Sequence, residues 1–218
     1  MPNLIHTLLD KISGILFPAK CLGCAKPGEF LCEICRKRAQ RRAREKTSPL
    51  YLDRFLSYGL YRDRILREAL RRFKYHGIHI LSHPLSQMLH DLLKPGLSSL
   101  PKETLILPIP ASPERRRERG YNQAELLAEG LSEKISLPCR ADILLKIKNT
   151  PSQTSLSRRE RLFNIKDSFT IQNPEELLGK TILLVDDIST TGATLSEAAR
   201  VLKQAGAKEV IGLVVARG

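Results

Sequence analysis

Apolar positions recur along this chain first at helical spacing and later in short continuous runs between helical stretches. From Met1 to Phe17, Leu4, Ile5, Leu8, Leu9, Ile12, Ile15 and Leu16 line one face, so residues 1–20 predict an amphipathic helix. His6, Thr7, Asp10 and Lys11 interrupt it too often for a secretory or membrane-spanning segment. No other apolar stretch is long enough to span a bilayer, so a cytoplasmic protein without a transmembrane segment is expected. Residues 50–100 predict a short strand over Phe55–Leu60 and two helices. The first, Arg64–Tyr75, puts Ile65, Leu66, Ala69, Leu70 and Phe73 on one side, with Gly77 as its stop. The second starts near Pro84 and carries Leu85, Met88, Leu89, Leu92 and Leu93.

From Leu105 onward, strands alternate with helices. The strands are Leu105–Ile109, Ile143–Ile147, Ser168–Ile171, Thr181–Val185 and Val210–Val215. A helix over Asn122–Ile135 turns Ala124, Leu127, Ala128, Leu131 and Ile135 inward. Such alternation predicts an α/β domain over residues 50–218, built on a central, mostly parallel sheet.

The chemistry collects where one of these strands ends. Ile182–Val185 runs into Asp186 and Asp187, then Ser189, Thr190, Thr191, Gly192, Ala193 and Thr194, then another helix. Thr194 and Glu197 have capping-box spacing, Leu195, Ala198, Ala199 and Leu202 form a buried stripe, and Gly206 closes the helix. Small residues let backbone N–H groups approach a phosphate, hydroxyls add donors, and a helix N-terminus favours negative charge. Two carboxylates beside such a loop make sense if they face ribose hydroxyls or Mg²⁺. An Arg-rich turn with Arg115, Arg116, Arg117, Arg119 and Gly120 follows another strand; guanidinium forks suit phosphate oxygens, and a solvated turn is the alternative. A long polar loop over Thr150–Arg161 contains Arg158, Arg159 and Arg161.

Upstream, residues 21–48 hold Cys21-x-x-Cys24 and Cys32-x-x-Cys35, two pairs separated by seven residues, followed by a basic run. Four thiolates in two knuckles suit a structural Zn²⁺ site, with iron–sulfur ligation or a redox pair as alternatives. A module this small cannot build its own core, so the metal would supply its folding energy. The fifth cysteine, Cys139, has no partner in the pattern and reads as a small buried or loop residue.

Composition sharpens one point. The formal charge is +13, and Arg36–Arg72 alone holds 13 Lys and Arg against four acids. Tyr51, Phe55, Tyr58, Tyr61, Phe73 and Tyr75 are interleaved there. Basic grooves with stacking rings bind single-stranded nucleic acid, which makes Arg36, Lys37, Arg38, Arg41, Arg42, Arg64, Arg67, Arg71, Arg72 and Lys74 candidate contacts. The other reading is a solvated helix face with Phe55 and Phe73 in the core.

The Asp186-Asp187 segment resembles the phosphoribosyl pyrophosphate motif of type I phosphoribosyltransferases. Together with Phe73-Lys-Tyr75-His-Gly77, Arg119-Gly-Tyr-Asn-Gln123 and the Gln153–Arg161 loop, it resembles the ComF family from Cys21 onward. The resemblance implies a type I phosphoribosyltransferase fold behind a Cys₄ zinc module. Asp186 and Asp187 would hold the ribose hydroxyls and Ser189–Thr194 the 5-phosphate. Arg117, Arg119 and Gly120 would lie on the pyrophosphate side with Mg²⁺, and Arg158, Arg159 and Arg161 in a closing catalytic loop. It further implies handling of single-stranded DNA during natural transformation, with a competence helicase as protein partner. The alternative is an active phosphoribosyltransferase, amidophosphoribosyltransferase-like, acting on an unknown acceptor.

Overall fold

The computed structural model describes residues 19–40, 50–75, 77–148 and 165–218. The expected lead helix up to residue 18, Arg41 and Arg42 of the basic run, and the polar loop with Arg158, Arg159 and Arg161 lie outside the described residues. Among the described residues no helix is long and apolar enough to cross a membrane.

In chain order the described helices are α1 (Glu33–Ala39), α2 (Arg64–Tyr75), α3 (Ser82–Leu93), α4 (Pro113–Arg119), α5 (Gln123–Ile135) and α6 (Ala193–Gln204). The strands are β1 (Arg54–Leu60), β2 (Leu105–Pro108), β3 (Leu144–Lys146), β4 (Phe169–Ile171), β5 (Thr181–Ser189) and β6 (Glu209–Arg217). A parallel sheet runs in the order β1-β6-β5-β2, and β3 pairs antiparallel with β4 in a second, two-stranded sheet.

Alternation along β5 explains how one sheet serves two cores. Leu183 and Val185 face α2, α3 and α5 in one apolar cluster. Ile182 and Leu184 face α6 and the β3–β4 pair in the other. Side chains two residues apart share a face, so a strand buried on both sides reads as an unbroken apolar run.

The helix Arg64–Tyr75 has the expected bounds, and its expected inner residues Leu66, Ala69, Leu70 and Phe73 are buried. Other boundaries moved. α3 begins at Ser82 rather than near Pro84, because a 3₁₀ turn over His79–Leu81 feeds directly into it. β5 does not stop at Val185: Asp186, Ile188 and Ser189 stay in register with Val214, Ala216 and Arg217 of β6. The Arg-rich segment, expected as a turn, is the seven-residue helix α4, capped by the Ser112 hydroxyl accepting from the Arg115 N–H. The capping box of Thr194 and Glu197 does not form. The helix starts at Ala193 with Gly192 as its N-cap, and the Glu197 carboxylate instead accepts from Asp167 N and pairs with Arg200.

Candidate functional site

The carboxyl end of β5 lies between β6 and β2. From β5 the chain crosses through α6 to β6 on one side, while β2 lies on the other. In parallel sheets such divergence opens a crevice at the strand ends, where ligands bind. Two connections meet there. After β5, Thr190-Thr191-Gly192 turns the chain into α6, with Gly192 at φ 78° and the Thr191 hydroxyl accepting from Ala193 N at 3.3 Å. That left-handed backbone angle suits glycine. After β2, Ile109 N donates to Val185 O at 2.9 Å and the chain passes through α4. Asn122 fastens the return: its Nδ2 donates to Ile109 O at 3.1 Å while its Oδ1 caps α5 by accepting from Ala124 N.

Asp186 and Asp187 stand side by side at this crevice, with Asp186 Oδ1 accepting from Asp187 N at 2.8 Å. Desolvation, then the neighbouring Asp187 charge, holds the Asp186 carboxyl above the usual carboxylate range. The Asp187 side chain is almost wholly buried and takes its countercharge from Lys74 Nζ at 2.9 Å. The sequence reading grouped Lys74 with the nucleic-acid contacts; the structure places it in the acid pair. Lys146, at the end of β3, was missed. Burial and then the charge of Arg115 push its ammonium down to about 8, with Asp186 acting in the opposite direction. Lys146 thus feels the charges of both Arg115 and Asp186, and its Nζ lies 5.9 Å from the Phe169 ring centroid. The only sequence signal was a basic residue ending a strand just before a long polar loop. Of the expected pyrophosphate-side residues, Arg117 and Gly120 are exposed, while Arg119 turns over the Tyr75 ring, 5.3 Å from its centroid.

Cys21, Cys24, Cys32 and Cys35 converge, with all four sulfurs within 4.8 Å of one another, an arrangement that can hold a metal ion. The 3.7 Å between Cys24 Sγ and Cys32 Sγ fits a tetrahedral edge of about 3.8 Å, which follows from metal–sulfur bonds near 2.3 Å. The site has built-in electrostatics. Against the cost of burial, N–H groups of Cys32, Gly23 and Cys24 lower the Cys21 thiol to about 6. Burial and the other three sulfurs push Cys35 up. Four such thiols cannot all ionise unaided, and a cation reverses that balance. Close approach dictates Gly23: a Cβ there would lie 2.5 Å from Cys35 Sγ. Cys139 is half-buried and pushed up to about 11, first by burial.

The basic region divides. Arg64, Arg67 and Arg71 are exposed on α2, and Lys37 and Arg38 on α1. At positions 64, 67 and 71 the three arginines of α2 share one helix face. Arg36 instead turns inward to Asp91, and Glu68 pairs with Arg72 at 2.7 Å and with the exposed Arg71 at 3.4 Å. Tyr58 and Phe73 are buried and cannot stack on a base, whereas Tyr51 and Tyr75 are exposed.

Residues 120–218 match the phosphoribosyl transferase domain family. Over 202 residues the chain is 30% identical to Competence protein F of Haemophilus influenzae, covering 87% of this chain and 86% of that protein. It is 35% identical over 199 residues to Competence protein ComFC of Bacillus subtilis, covering 91% of this chain and 75% of that one. It is 33% identical over 126 residues to the DNA utilization protein YhgH of Escherichia coli O157:H7, covering 58% and 53%.

Proposed function

The chain belongs to the family of Competence protein F and ComFC and carries a phosphoribosyl transferase domain, and on that premise we propose that it binds phosphoribosyl pyrophosphate and handles single-stranded DNA in the cytoplasm during natural transformation. The observation that carries the reading is the adjacent pair Asp186 and Asp187 at the end of β5, followed by the Thr190–Gly192 turn into α6. Asp186 and Asp187 bind the ribose hydroxyls, and backbone N–H groups over Ser189–Thr194 bind the 5-phosphate, favoured by the helix N-terminus. Arg117, Arg119 and Gly120 serve the pyrophosphate side, joined by Lys146. Mg²⁺ accompanies the pyrophosphate and neutralises part of its charge. Arg158, Arg159 and Arg161 supply further positive charge to it. Cys21, Cys24, Cys32 and Cys35 hold Zn²⁺, which ties α1 to the preceding turn.

DNA lies along the exposed arginines of α2 and the basic face of α1, with a competence helicase as protein partner. Fluorescence anisotropy of a labelled single-stranded oligonucleotide across a salt series tests this directly. Tight binding that weakens steeply with salt supports it; no binding at low salt leaves these arginines as a solvated face.

A second reading, turnover, is favoured by Lys146, a largely buried ammonium that feels the charge of Asp186 at the end of β5. The C1–oxygen bond of the ribose breaks with its electron pair leaving on pyrophosphate, and a nucleophilic acceptor forms the new bond at C1. Pyrophosphate release with candidate acceptors separates turnover from ligand binding.

A further inference from the structure

Lys74 belongs by position to one surface and by contact to another. Position 74 continues the three- and four-residue spacing of Arg64, Arg67 and Arg71, so Lys74 is the fourth cation on that face of α2. The three arginines are exposed. Lys74 instead reaches inward, with its Nζ 2.9 Å from Asp187 Oδ2.

The pair is nearly closed to solvent. The Lys74 side chain is 18% exposed and that of Asp187 only 7%. A carboxylate covered to that degree meets ribose hydroxyls only after a neighbour moves. Its other charged neighbour, Asp186, is fixed in β5 and accepts from the Asp187 N–H at 2.8 Å. The movable neighbour is Lys74, an ammonium on a flexible four-carbon stem in the last turn of α2. Its backbone is held on both sides. The Tyr121 hydroxyl donates to the Phe73 carbonyl, and the Arg119 guanidinium stands 5.3 Å from the Tyr75 ring centroid. A lysine fixed at its root and released at its tip swings without carrying the helix along. An ammonium that has lost its carboxylate does not stay in a largely buried place without a partner. The anion-binding face to which position 74 belongs lies on its own helix.

We propose that Lys74 is shared between two sites: a phosphoribosyl ligand on Asp187 releases it to the basic face of α2, where it makes one more contact to the phosphates of single-stranded DNA. This rests on the phosphoribosyl and DNA readings given above. By linkage, DNA that draws Lys74 away uncovers Asp187, so each ligand strengthens the other by the same factor. The ligand's own phosphates are anionic and by themselves weaken DNA binding. A gain in DNA affinity on adding an anion is therefore the signature of the exchange.

The test is anisotropy of a labelled single-stranded oligonucleotide across a salt series, on the full chain with and without saturating ribose 5-phosphate. The ligand should raise DNA affinity about fivefold and steepen the slope of log affinity against log salt by about one, the mark of one added phosphate contact. Asp187→Asn removes the charge that holds Lys74, so it should bind DNA like the liganded parent and ignore ribose 5-phosphate. Misfolding does not produce such a gain. Adding Lys74→Met to Asp187→Asn should abolish it; a gain that persists comes from the lost carboxylate charge alone and overturns the exchange. DNA affinity unchanged or lowered by ribose 5-phosphate, with calorimetry showing that the sugar phosphate binds, also overturns it and leaves both readings standing. Failure of ribose 5-phosphate to bind overturns the phosphoribosyl reading, failure of DNA to bind overturns the other, and the exchange falls with either.

Discussion

Lys74 Nζ lies 2.9 Å from Asp187 Oδ2, in an ion pair whose two side chains are both largely buried. The end of α2 is thereby joined to the end of β5. A ligand that hydrogen-bonds Asp187 through ribose hydroxyls has to share it with this lysine. Asp187→Asn removes the charge that both partners use. We expect phosphoribosyl pyrophosphate affinity to fall by on the order of 100-fold, since hydrogen bonds to a charged group contribute roughly 1.5–3 kcal/mol each. Calorimetry against a variant with unchanged circular dichroism checks it, and unchanged affinity would remove Asp187 from the site.

Asp186 carries the opposite expectation for stability. Burial and the Asp187 charge raise its folded-state pKa, so its contribution to stability is present at low pH and is lost as pH rises through the raised value. Asp186→Asn carries no such charge. At neutral pH it should be more stable than the parent by on the order of 1 kcal/mol while losing ligand affinity. Urea denaturation at pH 5 and pH 8 measures this: the gap between the two proteins should widen with pH.

Lys146 supplies a pH signature for ligand binding. With its ammonium held down to about 8, it is cationic below that pH and neutral above it. Affinity for phosphoribosyl pyrophosphate should therefore fall as pH rises through about 8. Lys146→Arg stays charged throughout and should lose this step, whereas Lys146→Met should bind weakly at every pH. Titrations at pH 7, 8 and 9 decide; an identical profile in parent and Lys146→Arg would take Lys146 out of the site.

For the basic face, Arg64, Arg67 and Arg71 are the residues to reverse, because Arg36 and Lys74 are already committed to Asp91 and Asp187. Replacing all three with Glu should lower the slope of log affinity against log salt by about three, one for each phosphate no longer neutralised. Weaker binding with an unchanged slope would point to misfolding rather than to the removal of cations from the DNA backbone.

Removal of the metal should be felt across the protein. A chelator strong enough to strip the four-cysteine site, or Cys35→Ser, should lower the melting midpoint by roughly 10 °C, as several kcal/mol of lost stabilisation implies for a chain of this size. Differential scanning calorimetry with and without added Zn²⁺ reads it out.

How much of this was legible beforehand depended on whether the signal was local. Arg64–Tyr75 could be bounded because its apolar residues, its arginines and Gly77 all lie within one stretch. The two cysteine pairs and the Asp186-Asp187 turn carry their chemistry in adjacent residues. Lys146 and Lys74 do not. What draws attention to each is an acid over 30 residues away, Asp186 acting on the charge of Lys146 and Asp187 pairing with Lys74, brought together only by the fold. The capping box failed for a related reason. Glu197 had the right spacing, but Arg200 and the Asp167 N–H compete for the same carboxylate, and they win. Tyr58 looked like a stacking ring until the fold put it inside, whereas Phe73 is buried as its place on the inner helix face indicated.

The cysteine module also sets a limit on modular thinking. Cys21, Leu31, Cys32, Cys35 and Ala39 belong to the same apolar cluster as Leu66, Leu70 and Val215. The Tyr58 hydroxyl, rooted in β1, donates to the Arg36 carbonyl at 2.9 Å. Residues 19–40 are therefore not a portable part. Transplanted onto another protein, the four sulfurs would arrive without the wall against which they close, and a host stripped of them would be left with an open seam along α2.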